Sequence, residues 1–184
     1  WLLGGLLYLG SGIGLGLARV VRDRGWRVAG MVRREWPWFL GAIFFGGVLA
    51  PVALMVGLAH TSGASASLLL NLEAVLTALI AWSVFKENAD RRVVFGMIAI
   101  VAGGALLAWP FQEVAVEEGG LGPLAIVFAC ACWAIDNNLT RKVSASDALF
   151  IAGSKGLIAG AANCALALSL GAAFPGPQLT AAIM

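Results

Sequence analysis

The chain has 184 residues, of which 60% are hydrophobic and only 12% are charged, with a formal net charge of +2. Soluble domains average roughly 45–50% apolar and 25% charged residues, so a soluble fold of this length could not bury so much apolar surface. The composition therefore predicts an all-α integral membrane protein and argues against an ordinary soluble domain.

Six apolar stretches are long enough to be membrane-spanning helices, since about 17–25 residues cross a bilayer core. In chain order they cover residues 1–18, 36–58, 62–85, 93–109, 121–139 and 149–173, and a seventh begins near residue 179. The sequence begins inside one apolar run and stops just after another has begun. We therefore expect a fragment of a longer, polytopic transmembrane helix bundle.

The basic residues indicate how these helices are oriented. All of the twelve Lys and Arg residues except Lys155 lie in three alternate connections, within residues 19–34, 86–92 and 141–142. The other connections carry His60, Glu113, Glu117 and Glu118. Because basic connections are usually cytoplasmic, we expect a multi-pass protein of the cell inner membrane with these three connections in the cytoplasm.

The first and sixth stretches share a weak sequence pattern. Residues 1–12 overlay residues 149–160 with three identities: Gly5 and Gly153, Leu9 and Leu157, and Gly12 and Gly160. On the predicted topology the two segments run in opposite directions, and four helices separate them. Inverted repeats of this kind are common in secondary transporters.

Pro51 lies near the centre of the second stretch, shortly after Gly46 and Gly47. Since proline has no N–H, the carbonyl of Gly47 loses its helical partner, and we predict a helix kink here. In transporters such breaks mark gates or substrate sites, and a kink that serves only packing is an equal alternative.

Glu73 is the only formally charged residue between residues 63 and 85. A charge at the centre of a membrane span costs roughly 2.5–3.5 kcal/mol on insertion scales, so we expect protein or water rather than lipid around it. At 100° per residue the helix has two small or polar faces, one with Ser62, Ala66, Glu73 and Thr77 and the other with Ser67 and Asn71.

Glu73 has two interpretations. A buried carboxylate can couple substrate movement to protons, or it can bind a cationic substrate group directly. Alternatively, Glu73 is a neutral or paired structural acid that fixes the helix register. Four residues of this stretch are therefore candidates for substrate binding or proton coupling, namely Glu73, Thr77, Ser62 and Asn71.

The end of the fifth stretch is polar. It carries Asp136, Asn137 and Asn138, and Lys155 lies about two turns into the sixth stretch at a similar depth. Asp136 and Lys155 can pair, which would lower the cost of both charges, or Lys155 extends to the headgroups or lines a cavity. Asp136, Asn137 and Lys155 complete the set of candidate site residues.

Other kinds of site lack the residues that they need. Cys130, Cys132 and Cys164 fall within apolar stretches, so we expect buried thiols rather than a disulfide or a zinc site. His60 is the only histidine, so neither a metal cluster nor a Ser–His–Asp arrangement can be assembled. We expect no metal, no cofactor, no enzymatic activity and, because topology accounts for the arginines, no nucleic-acid partner.

Two segments resemble a known family. Residues 57–109, which begin "GLAHTSGASASLLLNLEAVLTALIAW", resemble the EamA-like permeases of the drug/metabolite transporter superfamily. Residues 129–144, "ACACWAIDNNLTRKVS", resemble the opening helix of that family's second half. The resemblance implies ten helices in two inverted five-helix repeats, with a central cavity and alternating access.

On that scheme the chain holds helices two to seven and the start of helix eight. Residues 1–109 would be the remainder of the first repeat, residues 110–120 a periplasmic connection, and residues 121–184 the start of the second repeat. The family implies no particular substrate, because its members move amino acids, metabolites, sugars and drugs.

The sequence thus predicts a secondary transporter, a permease or exporter that moves a small metabolite or drug-like solute across the inner membrane by alternating access. Its partners would be the lipid bilayer and a small-molecule substrate, with proton coupling and a homodimer left open. The alternative is a non-transporting, membrane-embedded structural or assembly protein. An intramembrane enzyme is disfavoured by the absence of a catalytic constellation.

Overall fold

The computed structural model describes residues 2–25, 31–88, 90–108 and 120–173, and every regular element within these ranges is a helix. In chain order the α-helices are α1 (Leu2–Arg22), α2 (Trp36–Ala42), α3 (Ala50–Ala59), α4 (Gly63–Leu70), α5 (Leu72–Ser83), α6 (Arg91–Ala108), α7 (Leu121–Lys142) and α8 (Ala148–Ser169). A 3₁₀ turn, Arg33–Glu35, leads into α2, and a π-helical segment, Ile43–Leu49, joins α2 to α3.

The predicted all-α, polytopic membrane fold is confirmed. Among the described residues, five segments are long and apolar enough to cross a membrane, namely Leu2–Arg22, Arg33–Ala59, Gly63–Ser83, Leu121–Lys142 and Ala148–Ser169. The 18-residue helix α6 coincides with the predicted stretch 93–109. The seventh predicted stretch and nearly all of the connection at 110–120 lie outside the described residues.

The helix ends agree with the predicted stretches to within about one turn, and the differences have local causes. The first helix continues past residue 18 to Arg22, because Arg19 and Arg22 find an acidic partner within the protein. The last described helix ends at Ser169 rather than near 173, since Gly171 adopts a φ of +83°, a conformation that terminates helices.

The chain divides into two compact units. The terminal unit comprises Trp1–Pro51 and Leu139–Met184, and the central unit comprises Val52–Asn138. The terminal unit therefore contains α1, α2, the π-helical segment and α8. The central unit contains α4, α5 and α6, together with most of α3 and α7.

In the terminal unit, α1 and α8 pack antiparallel along glycines. The contacts pair ascending residues of α1 with descending residues of α8, namely Gly5 with Cys164, Gly12 with Leu157 and Gly16 with Gly153. A Cβ atom at Gly156 would lie only 2.8 Å from the Cα of Gly12. Small residues allow this close approach of two helix backbones, which is typical of packing in membranes.

The core of the terminal unit lies where α2, the π-helical segment and α8 meet the residue that follows α7. Phe39, Ile43, Val143 and Ile151 are buried together there. Phe150 stacks on Phe39 with ring centroids 6.0 Å apart. Phe150 directly precedes Ile151 in the chain, so this aromatic contact anchors the first turn of α8.

In the central unit, α4 and α5 form one membrane span that is interrupted at Asn71. The backbone N–H of Asn71 bonds to the carbonyl of Leu68 at 3.2 Å, three residues back, which tightens the helix at this point. The Asn71 side chain also donates to the carbonyls of Ser67 and Leu68. The predicted span over 62–85 is therefore confirmed as Gly63–Ser83, with a local distortion at residue 71.

Helix α7 packs on α3 and α4 in the central unit. Ile126 and Cys130 of α7 are buried against Ala66 of α4. A Cβ atom at Gly57 would overlap the side chain of Ile126, so this glycine is needed for the close approach of α3 to α7. These contacts fix the face that α7 presents to its neighbours.

Candidate functional site

Three of the predicted site residues come together in the central unit. Asn137 on α7 donates from Nδ2 to Oε1 of Glu73 at 3.0 Å and to Oγ1 of Thr77 at 3.4 Å. Glu73 and Thr77 lie one turn apart on α5, so a single amide reaches both side chains. We call Glu73, Thr77 and Asn137 the carboxylate cluster.

The carboxylate of Glu73 bonds to a neutral group. Within the described part of the chain, Asn137 is its hydrogen-bond partner and no basic side chain forms an ion pair with it. The Glu73 side chain is half-buried, in the middle of a span that runs from Gly63 to Ser83. An amide can both donate and accept a hydrogen bond, so this partner suits either protonation state of the acid.

A second amide fixes α7 against α5. Asn138 is 4% exposed and donates from Nδ2 to the backbone carbonyl of Thr77 at 3.0 Å and to that of Ala134 at 2.9 Å. Because this bond joins a side chain to the backbone, it sets the register of the two helices whatever the state of Glu73. The sequence places Asn138 beside Asn137 but does not indicate that only Asn137 faces the carboxylate.

Ser62 and Asn71, two other candidate residues in this part of the chain, form hydrogen bonds within their own helical segments. Ser62 is the N-cap of α4, with extended backbone angles, and its Oγ accepts from the backbone N–H of Ser65 at 3.2 Å. Asn71 bonds to carbonyls of its own helix, as described above. Ser62 therefore precedes the helix that carries Glu73 instead of extending its polar face.

The remaining candidates, Asp136 and Lys155, lie in different units. Asp136 of α7 is 7% exposed in the central unit. Lys155 lies two turns into α8 in the terminal unit, where its Nζ donates to Oγ1 of Thr140 at 3.0 Å. An ion pair between Asp136 and Lys155 stays a prediction.

Lys155 lines a cavity of about 370 Å³ in the terminal unit. Its polar lining consists of Tyr8, Ser11, Thr140, Ser144 and Lys155, and its apolar lining of Leu15, Ala148, Ile151, Ala152 and Gly156. None of these residues is acidic. This cavity was not anticipated from the sequence, because Tyr8, Ser11 and Thr140 come from helices that are distant in the chain.

The segment before Pro51 is distorted into the π-helical form. Because Pro51 has no N–H, no α-helical bond can reach the carbonyl of Gly47. The side chain of Asn163 on α8 donates to this carbonyl at 2.6 Å and to the carbonyl of Ala159 at 2.7 Å. The distortion thus lies over Ile43–Leu49, ahead of the proline on which the predicted kink was centred.

Asn163 is not among the predicted site residues, although the sequence carries a signal for it. It is a lone amide in the apolar run "GAANCALAL", and it is 3% exposed in the structure. A buried amide in a membrane span needs partners, and the carbonyl freed by Pro51 is such a partner. The sequence alone does not indicate which helix carries the partner.

An ion-pair cluster joins one end of α1 to the start of α8. Nε of Arg19 lies 2.8 Å, and Nη2 of Arg22 lies 2.6 Å, from Oδ2 of Asp147. Asp147 is also the N-cap of α8 and accepts from the N–H of Leu149 at 3.0 Å. Hydrogen bonds from Arg22 and then Arg19 hold the pKa of Asp147 well below its usual range. In the sequence these arginines indicate only topology, and nothing there marks Asp147 as their partner.

Cys130, Cys132 and Cys164 are buried and reduced. Within the described ranges, no group of three or more His, Cys, Asp or Glu side chains is placed to hold a metal ion. The carboxylate cluster and the Lys155 cavity are therefore the two candidate sites among the described residues.

Comparison with known proteins gives a family match and several relatives. The EamA-like transporter family matches residues 2–109, more than half of the chain. An uncharacterized transporter of Methanothermobacter thermautotrophicus is 28% identical over 127 residues, which covers 67% of this chain and 37% of that protein. The probable 4-amino-4-deoxy-L-arabinose-phosphoundecaprenol flippase subunit ArnE of Pseudomonas paraeruginosa is 40% identical over 89 residues, covering 48% of this chain and 73% of ArnE.

The extent of these matches differs between the relatives. The chain spans little more than a third of the length of the Methanothermobacter transporter but about three quarters of ArnE. No solved structure matches the chain significantly.

Proposed function

Because the chain belongs to the EamA-like transporter family, we propose that it forms part of a permease that moves a small polar or amphipathic solute across the bilayer by alternating access. The protein is a multi-pass membrane protein with a helical bundle fold. For its location we propose the cell inner membrane, with the three basic connections in the cytoplasm, because all Lys and Arg residues except Lys155 lie in those connections.

The observation that carries this proposal is the carboxylate cluster. Glu73 lies inside a membrane span, and its neighbour is the neutral amide of Asn137 at 3.0 Å rather than a lysine or an arginine. A structural acid in lipid is usually neutralised by a basic partner, whereas an acid that binds protons or a cationic solute must remain available. We propose that Glu73 binds the coupling proton and that Thr77 and Asn137 hold its carboxyl group in place.

Contacts between α1 and α8 support an inverted repeat. Suppose that a two-fold axis relates the two helices, with Leu9 equivalent to Leu157 and Gly12 equivalent to Gly160. The contact of Gly12 with Leu157 must then be matched by a contact of Gly160 with Leu9. A Cβ at Gly12 would lie 2.9 Å from Cγ of Leu157, and a Cβ at Gly160 would lie 2.7 Å from Cγ of Leu9. The two contacts agree in the atoms involved as well as in the residues, as expected for repeats of opposite orientation.

The proposal is tested by Glu73→Gln in the full-length protein reconstituted into vesicles. A panel of amino acids, sugars and amphipathic drugs is assayed in two modes, accumulation driven by a pH gradient and exchange of labelled for unlabelled solute. We expect at least a tenfold loss of proton-driven accumulation with exchange retained, because glutamine keeps the hydrogen bond but cannot carry the proton. Asp90→Asn is the matched control, since Asp90 is an exposed acid just before α6.

The outcomes separate the alternatives. Unchanged proton-driven accumulation in the Glu73→Gln variant would remove the coupling role and leave a structural acid. Absence of flux for every solute in the unmodified protein would favour a non-transporting structural or assembly protein. A loss of both modes would assign Glu73 to solute binding rather than to coupling.

A second candidate function follows from the 40% identity to ArnE, a probable flippase subunit. The solute would then be lipid-linked and would move from one leaflet to the other. The same vesicles, loaded with a phosphoprenol-linked sugar, would show its transbilayer movement if this candidate is correct.

A further inference from the structure

The span Arg33–Ala59 begins with one buried face and one exposed face. Phe39 and Ile43 belong to the core of the terminal unit. Three large apolar residues at intervals of four lie on another side of the helix and are exposed, namely Trp36, Leu40 and Phe44. The first part of this span therefore presents a continuous apolar stripe to its surroundings.

Two arginines precede this stripe. Arg33 and Arg34 form the 3₁₀ turn together with Glu35, and both are exposed. In the ranges that the structure describes, neither of them forms an ion pair. Oε2 of Glu35 instead accepts from the N–H of Val32 at 3.0 Å and from Oγ of Ser146 at 3.1 Å. We define the outer face of this span as Arg33, Arg34, Trp36, Leu40 and Phe44.

The arginines of the connection at 19–34 thus fall into two kinds. Arg19 and Arg22 are held by Asp147, at 2.8 Å and 2.6 Å. Arg33 and Arg34 point their guanidinium groups outward, with no carboxylate bound to them in the described part of the protein. Since a guanidinium group matches the geometry of a phosphate group, these two residues are suited to an anionic partner.

The size of the side chains distinguishes the outer face from a helix-packing face. Where the span packs within the terminal unit it carries glycines. A Cβ at Gly41 would lie 3.0 Å from Cδ1 of Leu139, and a Cβ at Gly47 would lie 2.7 Å from Cβ of Ala159. The outer face carries large side chains instead. Close packing of membrane helices uses small residues, so this face is suited to contact with lipid.

The order of residues along the outer face follows the depth of a phospholipid. The span has 27 residues, or about 40 Å of helix, which exceeds a hydrocarbon core of roughly 30 Å, so the arginines at its start reach the headgroup layer. Leu40 lies about 10 Å further along than Arg33, beyond a headgroup layer of roughly 5–8 Å. Trp36 lies between them, at the interface where indole rings are enriched.

We propose that the outer face binds an anionic phospholipid of the leaflet that borders the connection at 19–34, with the phosphate on Arg33 and Arg34 and an acyl chain along Leu40 and Phe44. An anionic lipid is favoured over a zwitterionic one by about fivefold for each basic residue near the headgroups. The site belongs to the terminal unit, and it holds or fails independently of Glu73 and of proton-driven flux.

The test places a fluorescent reporter on the outer face. Leu40→Cys is labelled with bimane in the full-length protein, in a background that lacks the other cysteines, and the protein is placed in nanodiscs of phosphatidylcholine. Brominated phosphatidylglycerol, which is anionic, and brominated phosphatidylcholine are added separately as quenchers. We expect half-maximal quenching at an at least fivefold lower mole fraction of the brominated phosphatidylglycerol.

A second reporter controls for contact with lipid in general. Leu168 is exposed near the end of α8, and residues 169–184 include no charged residue. Bimane at Leu168→Cys should therefore be quenched by the two brominated lipids at mole fractions that agree within twofold.

Removal of the arginines tests which residues select the lipid. In the Leu40→Cys protein, Arg33→Gln together with Arg34→Gln should reduce the preference for phosphatidylglycerol to twofold or less. The matched control is Arg91→Gln together with Arg92→Gln, because these are also adjacent, exposed arginines but belong to the central unit. This control should keep the full preference at the Leu40 reporter.

Four outcomes would overturn the proposal. Equal quenching by the two lipids at the Leu40 reporter would exclude selection of an anionic lipid. A preference that survives the loss of Arg33 and Arg34, or one that disappears equally with Arg91 and Arg92, would exclude this pair as the binding residues. Absence of quenching by either lipid would mean that another protein segment covers the outer face. If the variant without Arg33 and Arg34 does not fold, the comparison of the two reporters still decides the question.

Discussion

Three asparagines illustrate how single polar residues are used inside the membrane-spanning helices. Asn138 and Asn163 are buried, and each donates to a backbone carbonyl of another helix as well as to one of its own. Asn137 is more exposed and donates to the carboxylate of Glu73. The first two satisfy backbone groups that lipid cannot hydrate, whereas the third places an amide beside an ionisable group.

Asn163 offers a test of this interpretation. We predict that Asn163→Ala lowers the free energy of unfolding in detergent by about 1–3 kcal/mol, because it leaves the buried carbonyl of Gly47 without this donor. In a Pro51→Ala background the loss should be smaller, since an alanine at this position supplies the backbone N–H that proline lacks. Thermal unfolding of the two single variants and the double variant measures this coupling.

The control for Asn163 is another asparagine. Asn71→Ala removes an exposed amide that bonds only to carbonyls of its own helix, so the change should be within about 0.5 kcal/mol. Equal losses for Asn163→Ala in the two backgrounds would show that the amide does not replace the missing proline bond.

At the scale of elements, the glycines of α1 fall into two groups. Gly5 and Gly12 face α8, where a Cβ would meet backbone atoms closer than 3 Å. Gly4 and Gly14 have nothing within 4 Å of the position of a Cβ. Close packing against α8 therefore explains Gly5 and Gly12 but not Gly4 and Gly14.

This difference predicts opposite effects for the same substitution. Gly12→Ala would place a methyl group 2.5 Å from the backbone N of Leu157, and we expect a loss of about 1–3 kcal/mol of stability. Gly14→Ala should be neutral or stabilising by up to about 1 kcal/mol, because alanine favours the helix and meets no neighbour. Unfolding of both variants in the same detergent measures the contrast. Similar losses at the two positions would mean that α1 does not pack on α8 through this face.

The elements themselves were largely predictable from the sequence, because the limits of an apolar run largely set the limits of a membrane helix. The deviations arise where a side chain competes with the backbone. Asn71 interrupts the span of Glu73 by bonding to Ser67 and Leu68, and a π-helical segment precedes Pro51. Neither feature changes hydropathy, so no periodicity analysis could detect it.

The candidate site was predictable only in part. Glu73, Thr77 and Asn137 stood out as polar residues in apolar runs, but their convergence depends on which face α7 turns toward α5. That face is set by buried contacts such as Ile126 and Cys130 with Ala66. The Lys155 cavity and the bond of Asn163 to Gly47 likewise depend on helix pairs that are far apart in the chain.

At the scale of the whole molecule, the proposed function depends on how the chain crosses the membrane. From the distribution of Lys and Arg we propose that the connections at 19–34, 86–92 and 141–142 lie on one side and the turn at His60 on the other. The transport proposal requires this alternation, because Glu73 lies on the span between His60 and Lys86. If both ends of that span faced the same compartment, Glu73 could not lie on a path across the bilayer.

Side-specific labelling of that span tests the account most directly. Two single-cysteine variants of the full-length protein, His60→Cys and Lys86→Cys, would be prepared in a background that lacks Cys130, Cys132 and Cys164, and treated with a membrane-impermeant maleimide. Both positions are exposed, so access depends on the side of the membrane. We predict that position 60 reacts from outside the inner membrane and that position 86 reacts only after the membrane is opened. Reaction of both positions from the same side of the intact membrane would contradict the account.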